Sequence, residues 1–259
     1  MDLGLKGRNA IVLASSKGLG FACAKALASE GVNVVINGRT ANDVNAAAKQ
    51  LTVAFDVTVT PIIADATTDA GRAALLKACP EPDILVLNGA GPPPTKFTDI
   101  DQSGWEVTMH NQFVSPLMFV REVVEGMAAR KFGRIIAITS AMVKTPHPLM
   151  TLSHAPRIGL TTVLKAISRD YVEHNVTINQ MLPERINTDR QKQMAQYLVD
   201  TKGITTEEAY AEIAASIAAN RLGTPEEFGE ACAFLCSANA GYICGQNLQL
   251  DGGSYEGVF

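Results

Sequence analysis

The stretch "VLASSKGLGFACAKAL", residues 12–27, decides the fold of this 259-residue chain. It runs from a short apolar segment through a loop with Gly18 and Gly20 into a helical pattern. Glycines let the backbone approach a ligand closely, and the N-terminus of the following helix offers unpaired N–H groups and a positive dipole end. Because the loop directly follows a predicted strand, the pattern favours dinucleotide binding, with the pyrophosphate at the helix N-terminus.

Seven short apolar segments predict strands, and longer helical patterns separate most of them. The segments lie at residues 9–14, 32–36, 57–64, 83–87, 134–139, 176–182 and 247–250. Most are apolar throughout, as strands covered on both faces are. The alternation predicts one α/β domain over residues 1–259, a Rossmann-type doubly wound sheet of seven mostly parallel strands with helices on both faces. Residues 184–224, helical in pattern, interrupt the alternation and are predicted to be a substrate lid.

The composition excludes several other classes of protein. The net charge is −4 and no basic tract stands out, which argues against a nucleic-acid partner. No apolar run reaches membrane-spanning length and the first residues have no apolar signal core, so we expect a cytoplasmic protein without a membrane partner. The five cysteines are scattered, which indicates a reducing compartment, and no cluster of cysteine and histidine completes a metal site.

Several motifs together resemble a short-chain dehydrogenase/reductase of the single-domain type, and the resemblance runs essentially end to end. Residues 13–20 stand where the family has Thr-Gly-x-x-x-Gly-x-Gly; Gly18 and Gly20 match, whereas Leu13 and Ala14 differ. "LNGAG", residues 87–91, resembles the family's Asn-Asn-Ala-Gly, with Gly89 replacing the second Asn. Residues 221–253 resemble the family's C-terminal segment. The implied cofactor-binding residues are Ala14, Ser16, Lys17, Gly18, Leu19, Gly20, Arg39, Asp65, Asn88, Gly89, Ala90, Arg157, Pro183 and Thr188.

The residues after the second strand indicate which dinucleotide binds. An acid there would bind the ribose 2′-OH of NAD, and "INGRT", residues 36–40, contains none. Arg39 suits a 2′-phosphate as a bidentate donor, and Lys17 in the glycine loop adds a point charge at the second basic position that NADP-using members of the family employ. The alternative is that both are solvated surface cations. We therefore predict NADP(H) as the cofactor.

The reaction centre is where the chain departs from the family, which uses an Asn, a Ser, a Tyr and a Lys. The resemblance assigns these places to Asn111, Ser140, Ser153 and Arg157, the predicted catalytic residues. A serine hydroxyl is far less acidic than the phenol it replaces and stops several ångströms short. Arg157 keeps the positive charge but stays protonated. We expect Ser153 to face the nicotinamide across a gap that a water or a substrate group fills.

Another group must then supply the proton that the phenol would give. His147 and Lys144 lie in the loop after the fifth predicted strand, and His154 follows Ser153. A histidine titrates near working pH, although a surface role is the commoner one for such residues. A water held by nearby polar side chains is a further alternative. Glu184, in the place of a family glycine, adds a charge at the mouth of the cleft.

These observations predict an NADP(H)-dependent oxidoreductase that transfers hydride between the nicotinamide and a small carbonyl or alcohol substrate, with a non-standard proton donor. Two alternatives stay open at this point: a catalytically silent NADP(H)-binding protein, and a non-redox reaction such as elimination or epimerisation on the same scaffold. The resemblance also implies a homotetramer, for which residues 113–129 and 159–172 offer candidate apolar faces.

Overall fold

A single parallel sheet organises the chain. The computed structural model describes residues 1–258, and within them seven strands lie in the order β3-β2-β1-β4-β5-β6-β7, every neighbouring pair parallel. The strands are β1 (Asn9–Val12), β2 (Asn33–Gly38), β3 (Val59–Ile63), β4 (Ile84–Leu87), β5 (Gly133–Ile138), β6 (Val176–Pro183) and β7 (Asn247–Leu250). The predicted doubly wound α/β fold is confirmed.

Helices cover both faces of this sheet. They are α1 (Gly18–Ser29), α2 (Ala41–Ala54), α3 (Asp69–Ala78), α4 (Gln102–Met109), α5 (Ser115–Ala129), α6 (Thr151–Tyr171), α7 (Asp189–Lys202), α8 (Thr206–Ala215) and α9 (Pro225–Cys236). One apolar core lies between the sheet and α1, α2 and α9, and a second lies between the sheet and α3, α5 and α6. Burial of both faces explains why the strands are apolar at nearly every position.

The first strand ends two residues earlier than predicted because the backbone turns at Ala14. Ala14 adopts a left-handed conformation, φ +46°, which a continuing strand does not allow. Behind this turn, α1 packs closely on α9, since a Cβ on Gly229 would lie 2.4 Å from the carbonyl oxygen of Ala22. The close packing fixes α1, and with it the glycine loop at the carboxyl edge of the sheet.

The predicted lid is a small helical unit whose two ends meet. Helices α7 and α8 share a separate apolar core around Ala195, Ala209 and Ile213. At its base, the backbone N–H of Asn187 donates to the carbonyl oxygen of Gly223 at 2.8 Å. The N–H of Gly223 donates in turn to the carbonyl oxygen of Arg185 at 3.1 Å, so the entrance and exit of the unit lie side by side.

Among residues 1–258, no helix combines the length and the apolar character needed to cross a membrane. The same residues contain no group of three or more metal-ligating side chains placed to hold an ion. All five cysteines are free thiols, and four of them are buried: Cys23, Cys79, Cys232 and Cys236.

Candidate active site

The glycine loop between β1 and α1 is built for close approach of a ligand. Gly18 has a φ of +57°, in the left-handed region that favours glycine. A Cβ on Gly20 would lie 2.4 Å from the carbonyl oxygen of Ala14 and 2.7 Å from Nδ2 of Asn88, so only glycine fits there. Asn88 Nδ2 donates to that same Ala14 oxygen at 3.1 Å, which ties the loop after β4 to the glycine loop.

A buried asparagine that was absent from the predicted site supports this loop. Asn37, at the end of β2, is only 2% exposed, and its Oδ1 accepts the N–H of Ala14 at 3.3 Å. Its Nδ2 donates to the carbonyl oxygens of Ile62 and Ala64 at 3.2 and 2.9 Å. These bonds connect the ends of three neighbouring strands and hold Ala14 in its left-handed conformation. A polar residue inside the apolar run "VVING" was the available sequence signal.

The N-terminus of α1 fits the phosphates of a dinucleotide. Lys17 stands at the N-cap position without a side-chain hydrogen bond to the helix, so no side chain caps the first N–H groups. Across from the loop, Cγ2 of Thr188 lies 3.9 Å from the place that a Cβ on Gly18 would take. The start of the predicted lid therefore faces the glycine loop. Ser16, Leu19, Gly89, Ala90 and Pro183, also predicted to bind the cofactor, lie in the glycine loop, the start of α1, the loop after β4 and the end of β6.

Two cations lie where a 2′-phosphate is expected, and one of them has a partner. Arg39 is exposed after β2. Lys17 Nζ pairs with Oδ2 of Asp43 at 2.9 Å, and the hydrogen bond to Asp43 raises the pKa of Lys17. Asp65 accepts the N–H and the hydroxyl of Thr67 at 2.9 and 2.7 Å, which lowers the pKa of Asp65 and keeps it ionised.

The reaction centre contains a continuous chain of hydrogen bonds. Arg157 Nε donates to Ser153 Oγ at 3.0 Å, and Ser153 Oγ donates to Oε1 of Gln112 at 3.3 Å. Nε2 of Gln112 then donates to the carbonyl oxygen of Ala90 at 3.2 Å. This chain, hereafter the Arg157–Ser153–Gln112 chain, links α6 to the loop after β4. Both the hydrogen and a lone pair of the Ser153 hydroxyl are used within the protein.

The guanidinium of Arg157 is anchored under the end of β5. Its Nη1 donates to the carbonyl oxygen of Ile138 at 3.3 Å and closely to that of Thr139. Many protein atoms surround the group, and burial lowers the pKa of Arg157 to about 10, so the side chain stays cationic at neutral pH. Nη2 points toward the loop after β4, 3.6 Å from the place of a Cβ on Gly91. Arg157 thus stands between the sheet and the expected nicotinamide end of the cofactor site.

The structure brings together a different amide from the one predicted. The segment between α4 and α5 is a π-helical turn, His110–Val114. In this turn Asn111 is exposed, whereas Gln112 is 7% exposed and bonded to Ser153. The expected gap beside Ser153 is also not found, because Ser153 is only 4% exposed and contacts Gln112 and Arg157. The longer side chains of Gln112 and Arg157 fill the space around the short side chain of Ser153.

Ser140 and the three candidate proton donors, Lys144, His147 and His154, differ in how they are engaged. Ser140 Oγ accepts the N–H of Met142 at 3.2 Å, which leaves its hydroxyl hydrogen available. Lys144 Nζ donates to Oε1 of Gln249 at 3.0 Å. His154 is buried, and desolvation, followed by the charges of His147 and Arg157, lowers its pKa.

Of the two histidines His147 and His154, His147 has the exposed ring. Its Nδ1 accepts the N–H of Leu149 at 3.3 Å, so a proton on the neutral ring sits on Nε2. The backbone N–H of His147 meets Nε2 of His154 at 3.5 Å.

Glu184 enters the cleft directly after β6. Its carboxylate pairs with Nε of Arg185 at 3.1 Å, and burial raises the pKa of Glu184 despite that neighbour. Asp251 and His147 lie close enough to act on the same carboxylate. Arg185 itself has a left-handed φ of +52°, a strained conformation for a side-chain-bearing residue at the entrance of the lid.

A glycine loop, two cations and a buried hydroxyl–guanidinium chain at one edge of a doubly wound sheet define a dinucleotide-dependent oxidoreductase. The chain belongs to the short-chain dehydrogenase/reductase family: residues 13–255 match the family profile described as enoyl-(acyl carrier protein) reductase.

Full-length relatives agree with this assignment. NADPH-dependent reductase BacG of Bacillus subtilis is 28% identical over 97% of this chain and 99% of its own length. Oxidoreductase YvaG of the same organism is 31% identical over the whole of both chains. L-Sorbose reductase of Gluconobacter frateurii, solved with NADPH and L-sorbose, superposes with a TM-score of 0.95 at 26% identity over both full chains. The NADPH in two of these descriptions agrees with the predicted cofactor.

Proposed function

We propose that this protein is an NADP(H)-dependent oxidoreductase that interconverts a carbonyl and an alcohol. The observation that carries the proposal is the shared location of two sites: the Arg157–Ser153–Gln112 chain ends on Ala90, in the same loop whose Asn88 binds the glycine loop. When bound, the cofactor supplies or accepts the hydride. NADPH-dependent relatives and the pair of Arg39 and Lys17 support the choice of dinucleotide.

In this proposal Ser140, Arg157 and Ser153 have separate roles, and none of them replaces the tyrosine that acts as the acid in the family. Ser140 directs its free hydroxyl hydrogen to the substrate oxygen, and Arg157 orients the loop after β4 while holding a positive charge beside the nicotinamide site. Ser153 positions Arg157 and is not the acid, because its hydrogen is held by Gln112. The alternative of a catalytically silent NADP(H)-binding protein is favoured by the same observation, because the hydrogen of Ser153 is already bonded within the protein. The experiment below separates the two functions.

We assign the proton donor as His147. Lys144 is engaged with Gln249, and His154 is buried with a lowered pKa, whereas Nε2 of His147 is free to face a substrate. The charge of His147 acts on His154 and on Glu184. Arg157 also acts on His154, and Arg185 and Asp251 also act on Glu184.

The test measures NADPH oxidation with a panel of carbonyl compounds by wild type, His147→Gln and two controls, His154→Gln and Lys144→Met. Positioned acid catalysis supplies about 10²–10⁴-fold, so His147→Gln is expected to lower kcat by about that factor with an unchanged Kd for NADPH. NADPH binding without hydride transfer to any carbonyl would instead identify a silent binding protein.

We also propose that residues 184–224 act as the substrate lid. The unit begins at Glu184 in the cleft, passes Thr188 opposite the glycine loop, and has its own small core. Such a unit can move as a body about its base. Hydrogen exchange at Ala195 and Ala209 that slows when NADPH and substrate are added together would support closure, and unchanged exchange would contradict it.

We propose a homotetramer as the assembly. Val107, Val114 and Ile158 are exposed apolar side chains on α4, the π-helical turn and α6, next to the helices predicted to pack between subunits. Exposed apolar side chains on these elements support an interaction surface there if they adjoin in one patch. Light scattering should give four times the mass of one chain at micromolar concentration, whereas a monomer would contradict the proposal.

A further inference from the structure

A row of polar side chains leads away from the reaction centre along the carboxyl edge of the sheet. It starts at Ser140 after β5, includes Lys144 and His147 in the following loop, and continues with Glu184 after β6 and Gln249 in β7. Strands β5, β6 and β7 are neighbours, so these groups lie in one direction across three strand ends. We call this row the polar strip.

The polar strip opens into a cavity below the lid. The cavity has a volume of about 230 Å³, smaller than the ~300–1,000 Å³ typical of sites for drug-sized ligands. It is lined by Glu184, Ile186, Ile217, Ala219, Arg221, Gly223, Glu227, Gln249, Leu250, Asp251 and Gly252. Its size suits a small metabolite, and its lining mixes hydrogen-bonding groups with four aliphatic side chains.

The charges around the cavity are compensated within the protein. Glu184 pairs with Arg185 at 3.1 Å, and Glu227 pairs with Arg221 through two contacts of 2.6 and 2.9 Å. Asp251 accepts backbone N–H groups of the C-terminal turn at 3.0 Å each.

Together with Lys144, the residues of the described chain around the cavity and strip thus carry three negative and three positive charges. These charges sum to zero, although Lys144 donates to the neutral amide of Gln249 and Asp251 accepts from backbone N–H groups. A ligand with a net charge therefore meets no net charge of opposite sign.

The carboxylates nevertheless retain unused acceptor capacity. A carboxylate has about four lone-pair sites, and Glu184 uses its contact with Arg185 at only one oxygen. Hydroxyl groups are the uncharged donors that match such acceptors. An apolar acyl chain would instead remove water from the polar strip and leave its polar groups without partners, which is unfavourable.

Resting on the proposed function, we infer that the substrate is a small, uncharged polyhydroxylated carbonyl compound. Its carbonyl lies at Ser140, and its hydroxyl groups along the chain donate to Glu184 and accept from or donate to Gln249. The recognition is by hydrogen bonds rather than by an ion pair, so the same site discriminates against keto acids and against acyl substrates.

The experiment compares matched ketones with NADPH as the reductant. Erythrulose is paired with butanone, fructose with hexanone, and a keto acid of the same chain length supplies the charged comparison. Sites built to hydrogen-bond a hydroxyl reject analogues without it, so kcat/KM should be at least about 10²-fold higher for the hydroxylated ketones. Glu184→Leu should remove most of this preference by lowering kcat/KM for erythrulose and fructose. Glu230→Leu, an exposed acid on α9, is the matched control.

Failure of the inference and failure of the proposed function give different results. If butanone and erythrulose are reduced equally well, or the keto acid is preferred, the function stands and the substrate class is wrong. If no ketone is reduced although NADPH binds, the proposed function fails, and saturation-transfer NMR with fructose and the NADPH-loaded protein decides the inference. Binding that Glu184→Leu abolishes and Glu230→Leu preserves supports the polar strip, and the absence of binding overturns it.

Discussion

The cofactor half of the molecule, around β1, β2 and β3, and the reaction half, around β5 and β6, are held in place in different ways. In the cofactor half, Ala14 keeps a left-handed turn because Asn37 and Asn88 hold its N–H and carbonyl oxygen. In the reaction half, Arg157, Ser153 and Gln112 are joined in one chain of side-chain hydrogen bonds. The first region depends on one backbone turn, whereas the second depends on several side chains at once.

The difference follows from what each region must satisfy. Backbone groups bind the phosphates at a helix N-terminus, so side-chain identity matters little as long as the turn is preserved. Side chains, by contrast, satisfy one another in the reaction half, and a buried polar network is stable only when every member is bonded. Substitutions in both halves test this contrast.

The largest effect is expected for Arg157→Leu, which removes the donors to Ile138, Thr139 and Ser153 at once. Leaving such buried acceptors unsatisfied costs ~1–3 kcal/mol each, so unfolding in urea should show a loss of at least about 3 kcal/mol. Ser153→Tyr alone should also destabilise, by ~1–3 kcal/mol, because Arg157 and Gln112 already occupy its surroundings.

The cooperative nature of the chain is measured by the triple variant Gln112→Asn/Ser153→Tyr/Arg157→Lys. Its loss of stability should be smaller than the sum of the three single losses, since residues in one network couple. If the three single losses of stability add up to the loss in the triple variant, the three residues do not act as one network, and the contrast between the two halves fails.

Gly20→Ala should have the next largest effect and is the severe case within the cofactor half. The new Cβ would press on the carbonyl oxygen of Ala14 and the amide of Asn88, which costs ~1–3 kcal/mol of stability and moves the glycine loop. Both the melting temperature and the affinity for NADPH should fall. Gly89→Ala is the matched control, because nothing lies within 4 Å of its Cβ position and its φ is not left-handed.

Arg39→Ala is expected to weaken NADPH binding by about 10-fold, corresponding to ~1.4 kcal/mol for a lost charge-assisted contact, and to leave NADH binding nearly unchanged. Lys17→Ala should have a smaller effect, because Lys17 already pairs with Asp43. Titrations of nicotinamide fluorescence with both cofactors measure the difference. Equal losses for NADPH and NADH in the double variant would refute a role of these cations in phosphate binding.

The smallest effect is expected for Ala14→Gly. Glycine adopts φ +46° without the steric cost that alanine has there. We expect this gain to exceed the roughly 0.5–1 kcal/mol that the greater loss of conformational entropy by glycine costs on folding. Thermal unfolding should therefore show a modest gain in stability with unchanged NADPH affinity. A loss of stability would mean that the turn at Ala14 is not strained, and the contrast between the halves would have to be sought elsewhere.

The sheet could be predicted from sequence because each strand is a short apolar run between polar segments. The strand at 247–250 was placed at its observed bounds. Strand ends were less predictable where the backbone turns for a reason that is not local, as at Ala14, whose conformation depends on Asn37 from the next strand. A loop held by a distant side chain carries no periodic signal of its own.

The reaction centre was predicted in part, and the amide shows why. Counting along the motif leads to Asn111, but the π-helical turn rotates the helix surface, so that Gln112 is the residue that faces Ser153. A π-helical turn arises from backbone hydrogen bonds rather than from a residue type. The filled space beside Ser153 likewise depends on the lengths of three side chains taken together, which no single motif position reports.

The paired ends of the lid have a consequence for how this protein can be rebuilt. Because Ile186 and Gly223 are bridged and Asn187 bonds to Gly223, the intervening residues leave and re-enter the domain at one point. A segment with adjacent ends can be exchanged without displacing the body it is attached to. Residues 189–222 therefore form an exchangeable unit, and grafting the corresponding helices of another reductase onto this base would test whether they form one wall of the substrate cleft, while Thr188 and the glycine loop stay in place.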